Sequence, residues 1–425
     1  MIKKLLKSDF NRNVFTLFSG TSIAQLIPLA ITPILTRIYG PEDFGVFALY
    51  TSIVAILSVL ATGRYELAIL IPKKNVDAIN IASLAITLSL MFSSLLLVIL
   101  LIGGKQIIEF LNIEQLGIWV YLIPFSVLIL AIYQVIYYLL NRQKLYKQMS
   151  VNKVVQQVGI GSSNIGLGFL NKDVGLIIGT LIGQFISLLL ILKKLLNTKE
   201  VNLNEITIKG MRTQAKKYID FPKYLTLAHT LNVTSSNLTI ILFNKFFNAT
   251  AIGHFSMTQR IMRFPLAIIG TAISDVFRQK AAEDLMTKGN CKTLYLRTLF
   301  TLVLLGIVPF VILFIISPSL FSFVFGEEWR VAGEYARLLI PMLYLQFATS
   351  PLSSLYIIME KQKYDLVIQI FLFVLSTTGV FIGYLIFHSI EMSIILYSIA
   401  YSIIYLINGI ITYKFAIVGN GKVLE

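Results

Sequence analysis

Residues 78–104 read AINIASLAITLSLMFSSLLLVILLIGG, an uncharged run bounded by Asp77 and Lys105. At ~1.5 Å of rise per residue, such a run can cross the ~30 Å hydrocarbon core of a bilayer as a helix. Comparable runs lie on both sides of it along nearly the whole chain. The expected spans are 14–37, 43–71, 77–103, 116–140, 149–170, 173–196, 222–246, 250–275, 294–317, 331–358, 363–387 and 390–415. The fifth and seventh are the most polar, being rich in Asn, Gln and Ser. The chain is 56% hydrophobic and 13% charged, with a mean hydropathy of +0.79. Soluble domains carry roughly 25% charged residues, so a water-facing surface of normal size could not be covered here. The fold class expected is an all-α polytopic membrane protein of about twelve transmembrane helices. The first apolar run continues through Pro28 and Pro33 to Arg37 without a small-residue cleavage site, unlike a secretory signal.

A net charge of +15 raises the question of nucleic acid, but the basic residues sit between spans and form no basic domain. Counting Lys and Arg, the segments at 1–13, 65–77, 141–153, 193–223, 277–297, 361–364 and 414–422 hold 27. The opposite side holds 6, namely Arg37, Lys105, Lys172, Lys245, Arg330 and Arg337. This alternating bias follows the positive-inside rule and places both termini in the cytoplasm. No extramembrane segment is long enough for a folded catalytic domain, so function is expected within the helices. The single Cys291 permits no intramolecular disulfide. His229, His254 and His388 are scattered, and no spacing resembles a metal site.

An internal repeat follows from two offsets. Shifting by 208 aligns Arg37 with Lys245, Gly45 with Gly253 and Phe47 with Phe255. Shifting by 219 aligns Arg142-Gln143-Lys144 with Lys361-Gln362-Lys363. Six spans per half is an even number, so the halves run parallel, related by an axis along the membrane normal. The expected organisation is a six-helix lobe at 1–196, a basic cytoplasmic linker at 197–221 and a second six-helix lobe at 222–425.

Three cations fall inside spans. Arg260 and Arg263, in the stretch Met257–Pro265, share a helix face. Placing arginine at a helix centre costs roughly 2.5–3.5 kcal/mol on insertion scales, tolerable when it meets water, an acid or an anionic ligand. Snorkelling, or structural pairing with Asp275 or Glu66, is the plain alternative. The guanidinium fork suits phosphate oxygens bidentately. Arg64 follows Gly63 in the second span, with Glu66 two residues on. An ion pair there is as good a reading as a substrate or coupling role. Asp275 reads first as a partner for Arg278. Polar residues gather in span one (Thr21, Ser22, Gln25), span five (Asn152, Gln156, Gln157, Ser162, Ser163, Asn164) and span seven (Asn232, Ser235, Ser236, Asn237). Singly they are helix–helix hydrogen-bonding groups; as sets, with Gln25, Gln156, Asn232 and Asn237 foremost, they suggest walls of an aqueous cavity. Gly175, Gly179 and Gly183 predict close helix packing.

The run Leu35-Thr-Arg-Ile-Tyr-Gly-Pro-Glu-Asp-Phe-Gly-Val-Phe47, then Gly63-Arg-Tyr-Glu-Leu-Ala-Ile-Leu-Ile-Pro72, resembles the polysaccharide-synthesis transporters of the multidrug/oligosaccharidyl-lipid/polysaccharide superfamily, of the Wzx flippase type. Phe277-Arg-Gln-Lys-Ala281 is similar to their second-half counterpart. The resemblance implies alternating access by two six-helix lobes around a cationic cavity in a bacterial cytoplasmic (inner) membrane. It implies an undecaprenyl-pyrophosphate-linked oligosaccharide as substrate, such as an O-antigen or capsule repeat unit. It also implies coupling to H⁺ or Na⁺, for which Glu66 is the first candidate and Asp275 the second. No catalytic residue, metal or other cofactor is expected, nor a nucleic-acid partner; polysaccharide polymerase or assembly proteins are expected neighbours. Arg64, Arg260 and Arg263 are the residues that could meet the pyrophosphate. A drug or cation antiporter of the same fold would be expected to place acidic residues in its cavity, whereas the in-span charge is mainly basic. A membrane polymerase would need a substantial outer loop, and the richest, Gly326-Glu-Glu-Trp-Arg330, is short.

Overall fold

The computed structural model describes residues 9–170, 172–196, 205–359 and 361–418. Helices account for nearly all of them, and no strand occurs among the described residues. In chain order the helices are α1 (Asp9–Ile38), α2 (Pro41–Ala61), α3 (Tyr65–Ala68), α4 (Asn75–Leu111), α5 (Ile123–Arg142), α6 (Tyr146–Leu170), α7 (Lys172–Leu196) and α8 (Ile208–Lys217). Then come α9 (Thr226–Phe246), α10 (Ala249–Lys288), α11 (Lys292–Phe325), α12 (Arg330–Thr349), α13 (Leu355–Ile358), α14 (Gln362–Leu385) and α15 (Ile390–Val418). Short 3-10 turns precede α5 and α12 and follow α12, and a π turn leads into α9.

Among the described residues, nine helical segments are long and apolar enough to cross a membrane. Three other long helices, α6, α9 and α10, stand where the fifth, seventh and eighth spans are expected. The count of twelve requires all three to cross. Large apolar side chains such as Ile102, Phe110 and Phe323 stand more than three-quarters exposed. A surface of that kind is stable against hydrocarbon and would aggregate in water. The protein is therefore a multi-pass membrane protein.

The chain forms two units, one running to Gly253 and the other starting at His254, so that the break falls inside the first turns of α10. In the first unit α6 packs along α7 and α1, α9 along α2, and α4 along α5. The glycine stripe of α7 does what its spacing predicts: a Cβ on Gly183 would stand 2.4 Å from the backbone nitrogen of Ile160, and one on Gly179 2.3 Å from Oδ1 of Asn164. Asn152 and Ser187 tie the same two helices reciprocally, with Nδ2 donating to the Ser187 carbonyl at 2.9 Å and the Ser187 hydroxyl donating to Oδ1 at 2.9 Å. In the second unit α11, α12, α14 and α15 pack as neighbours. Its inner end is built around Phe277, Cys291, Tyr295, Leu352, Tyr356 and Phe415. The Tyr295 hydroxyl donates to the Gly409 carbonyl at 2.7 Å, and that of Tyr356 to Asn408 Oδ1 at 2.8 Å.

Two expectations change. The second span was expected to run to residue 71, but α2 ends at Ala61 and the chain turns at Gly63 and Arg64, both left-handed with φ of 58° and 59°. Hydropathy ran on through this turn because Leu67 to Ile71 remain apolar. Within the expected linker, residues 197–204 lie outside the described residues, and residues 208–217 form α8 rather than a loop. Thr207 caps it, accepting from the Gly210 amide at 3.0 Å. Its inner face is pinned to α4: Gln214 donates to Asp77 at 2.8 Å, and Asn80 accepts from the Thr207 amide at 3.0 Å.

Candidate functional site

The long α10 carries both arginines of the Met257–Pro265 stretch. Arg263, Leu266, Gly270 and Ser274 are spaced so that they fall along one face of this helix. That face, with Gln346, Phe347, Ser350, Pro351 and Ser353 at the end of α12, borders a cavity of about 380 Å³. Thr271 completes the wall. No carboxylate stands among these lining residues. Arg263 is half-buried, and its Nη2 donates to the Tyr397 hydroxyl at 3.4 Å, while its Nε has no partner. Tyr397, Tyr401 and Tyr405 recur every fourth residue on α15, with ring centroids 4.5 Å and then 5.9 Å apart. Phenol oxygens can hold a guanidinium without cancelling its charge, so the site keeps a positive charge able to attract an anion.

Arg260 is exposed, one turn before Arg263. Asp275 is exposed and pairs with Arg278 at 2.9 Å, the partner its spacing suggested.

Arg64 and Glu66 come together in the first unit. The left-handed turn before α3 brings Arg64 Nη1 to 3.1 Å from Glu66 Oε1, with Glu66 fully buried. The second carboxylate oxygen and Arg64 Nε are buried without a partner. The turn is held from outside: the Tyr65 hydroxyl donates to the Ala215 carbonyl at 3.0 Å, and Arg142 Nη1 donates to the Ile69 carbonyl at 3.1 Å. Tyr138 on α5 and His229 on α9 interact electrostatically with the pair.

The polar sets divide. Gln25 and Asn232 are exposed, Gln156 and Asn237 half-buried, and Asn237 Nδ2 donates to the Val233 carbonyl of its own helix at 2.8 Å. Asn152 instead serves the α6–α7 contact, and Asn164 accepts the Tyr39 hydroxyl on its carbonyl at 2.6 Å. Two features escape the sequence reading. Lys153, counted with the cytoplasmic segment at 141–153, sits two turns inside α6, its Nζ 5.0 Å from the Tyr137 ring centre and 3.4 Å from Thr21 Oγ1. The second is the tyrosine stripe of α15. Its four-residue spacing is visible in the sequence, but its meeting with Arg263 is a tertiary fact.

A family profile described as "Polysaccharide biosynthesis protein" matches residues 34–334. An "Uncharacterized membrane protein in cps region" of Klebsiella pneumoniae is 22% identical over 403 residues, covering 94% of this chain and 81% of that protein. Among solved structures, the inward-facing conformation of a multidrug resistance MATE family transporter of the MOP superfamily superposes with a TM-score of 0.71 at 15% identity, covering 96% of this chain and all of that one. The lipid II flippase MurJ, in an inward closed conformation, gives a TM-score of 0.68 at 14% identity, covering 94% of this chain and 87% of that one. At these identities the two structures establish a shared fold.

Proposed function

The chain belongs to the polysaccharide biosynthesis protein family matched over residues 34–334, and from that premise we propose that it is a lipid-linked oligosaccharide flippase. The cargo is an undecaprenyl-pyrophosphate-linked repeat unit, turned across the bacterial cytoplasmic membrane by alternating access of two six-helix lobes. It is a transporter, not an enzyme. The observation that carries this reading is Arg263, a cation in a polar cavity whose lining holds no carboxylate. Such a site favours phosphate oxygens and disfavours a cationic drug. That preference ranks a multidrug antiporter second, although MATE transporters share the fold. The MurJ likeness supports the same reading by analogy of fold alone.

Arg263 is the first residue to contact the pyrophosphate, with Arg260, one turn before it on α10, as a further cation. Gln25, Gln156, Asn232 and Asn237 offer polar surface for sugars. For ion coupling Glu66 stays ahead of Asp275: it is buried with one oxygen unpartnered, whereas Asp275 is an exposed ion-pair partner.

The test is deletion of the gene and identification of the lipid-linked species that accumulates inside. Complementation by Arg263→Ala should fail to restore surface polysaccharide while the protein still inserts, and Arg263→Lys should restore part. Full export by the Arg260→Ala, Arg263→Ala double variant would remove the cationic-site reading.

A further inference from the structure

The wall of the Arg263 cavity is more particular than a phosphate alone requires. Beyond the guanidinium it presents Thr271, Ser274, Ser350, Ser353 and the amide of Gln346. Gln346 Oε1 is buried and accepts no hydrogen bond. The Ser353 hydroxyl donates to the Ser350 carbonyl at 2.6 Å, which leaves its own oxygen as an acceptor. A buried acceptor with no donor is costly, so its natural complement is a ligand rich in hydroxyl or amide hydrogens. An uncharged, hydroxyl-lined wall matches sugar hydroxyls and adds no charge for a second phosphate to meet. Gly270 keeps the space open, since a Cβ there would find nothing within 4 Å. A volume of about 380 Å³ is at the small end of ligand pockets. It suits a short piece of saccharide.

We propose that Gln346, with the hydroxyl groups around it, is a saccharide subsite that selects the sugar joined directly to the phosphates held by Arg263. The inference rests on the flippase reading for the identity of the whole substrate. Its own content is that the chemistry of one sugar is read at Gln346. The amide oxygen accepts from a ring hydroxyl or from the N–H of an acetamido group, and the Arg263 fork takes the neighbouring phosphate.

The experiment measures binding to the purified full-length protein in detergent micelles. The probes are a short-chain polyprenyl pyrophosphate and the same lipid carrying a single glucose, galactose or N-acetylglucosamine in turn. At least one sugar-bearing probe should bind about tenfold or more tightly than the bare lipid. Gln346→Leu, similar in size but without the acceptor, should remove most of that increment and leave bare-lipid affinity within about twofold. Gly270→Phe, whose ring enters empty space, should remove it by filling the subsite; unchanged melting of both variants would establish that they fold. Arg263→Ala should weaken all probes alike. Equal binding of bare and sugar-bearing lipids by the unsubstituted protein, or a Gln346→Leu loss shared equally by both, would overturn the subsite and leave the flippase reading standing. If the unsubstituted protein binds none of the probes, the flippase reading falls and the subsite with it.

Discussion

Gly45 and Gly253 meet backbone to backbone, each on the first turns of its helix. A Cβ on Gly45 would stand 1.8 Å from the Ala249 carbonyl oxygen, and a Cβ on Gly253 would stand 1.7 Å from that of Pro41. Each also faces the backbone nitrogen of the other glycine at 3.1 Å. These are the residues that the 208-residue offset aligns.

Backbone cannot rotate away as a side chain can. Gly45→Ala and Gly253→Ala should therefore each destabilise by about 1–3 kcal/mol, and to similar extents because the contact is reciprocal. Gly166→Ala on α6, where a Cβ meets nothing within 4 Å, should be neutral or stabilise by up to about 1 kcal/mol. Thermal melting of the three purified variants checks this, and unequal losses at Gly45 and Gly253 would contradict the reciprocity.

Arg64 and Glu66 make an asymmetric prediction. Arg64→Ala would leave the fully buried Glu66 carboxylate without its cation, an expected loss of about 3–5 kcal/mol. Glu66→Gln leaves a guanidinium that is 13% exposed and keeps a polar group beside it, so its loss should be smaller. The left-handed φ of 59° adds a second handle. Arg64→Gly should lose less than Arg64→Ala, because glycine takes that conformation freely. Denaturation of the three variants side by side measures the order.

The same turn shows what sequence could and could not tell. Long apolar runs such as 78–104 announce helices because hydrocarbon forces every backbone group to pair within its own segment. The polar helices α6 and α9 were legible from charge alternation, since omitting one would invert the sidedness of everything downstream. The end of α2 was not, because Gly63-Arg64 is a local backbone event set among apolar residues. Helix α8 was hidden for a different reason. Its fixed partners, Asp77 and Asn80, lie more than 120 residues away in sequence, and its basic outer face reads as an ordinary linker. For the site, the Arg263 charge could be read directly. The acceptors Gln346 and Ser353 and the tyrosines of α15 come from other parts of the chain, and nothing in the sequence, not even the regular spacing of the tyrosines, ties them to Arg263.

Cys291, between α10 and α11, is 1% exposed, and burial first, then Asp284, pushes its thiol up to about 11. A raised thiol pKa means that the reactive thiolate is scarce at neutral pH. At pH 8 roughly one thiol in a thousand is ionised, against about a quarter for a free cysteine of pKa ~8.5. Maleimide labelling of the folded protein should be very slow at pH 7–8. It should rise about tenfold per pH unit up to about 11 and become fast at any pH once the chain is denatured. Fast labelling of native protein at pH 7.5 would show that this end of the second unit opens.

Arg337 repairs a helix that proline breaks. Pro318 sits inside α11 and has no N–H to give the carbonyl of Phe314, four residues earlier. Arg337 on α12 supplies the missing donor: its Nε reaches the Phe314 carbonyl at 2.8 Å, and its Nη2 also reaches the next carbonyl, that of Ile315, at 2.6 Å. In a membrane protein such freed carbonyls must be satisfied by a neighbour or by water. Here a guanidinium fork meets two successive carbonyls, a geometry that lysine cannot reproduce. Arg337→Met should cost about 1–3 kcal/mol, with Arg337→Lys in between. The discriminating variant is Pro318→Ala, which restores an N–H to α11. Combined with Arg337→Met it should recover most of the loss, giving a coupling of about 1 kcal/mol or more in a double-mutant cycle. Strictly additive effects would mean that Arg337 stabilises the protein in some way unrelated to the proline.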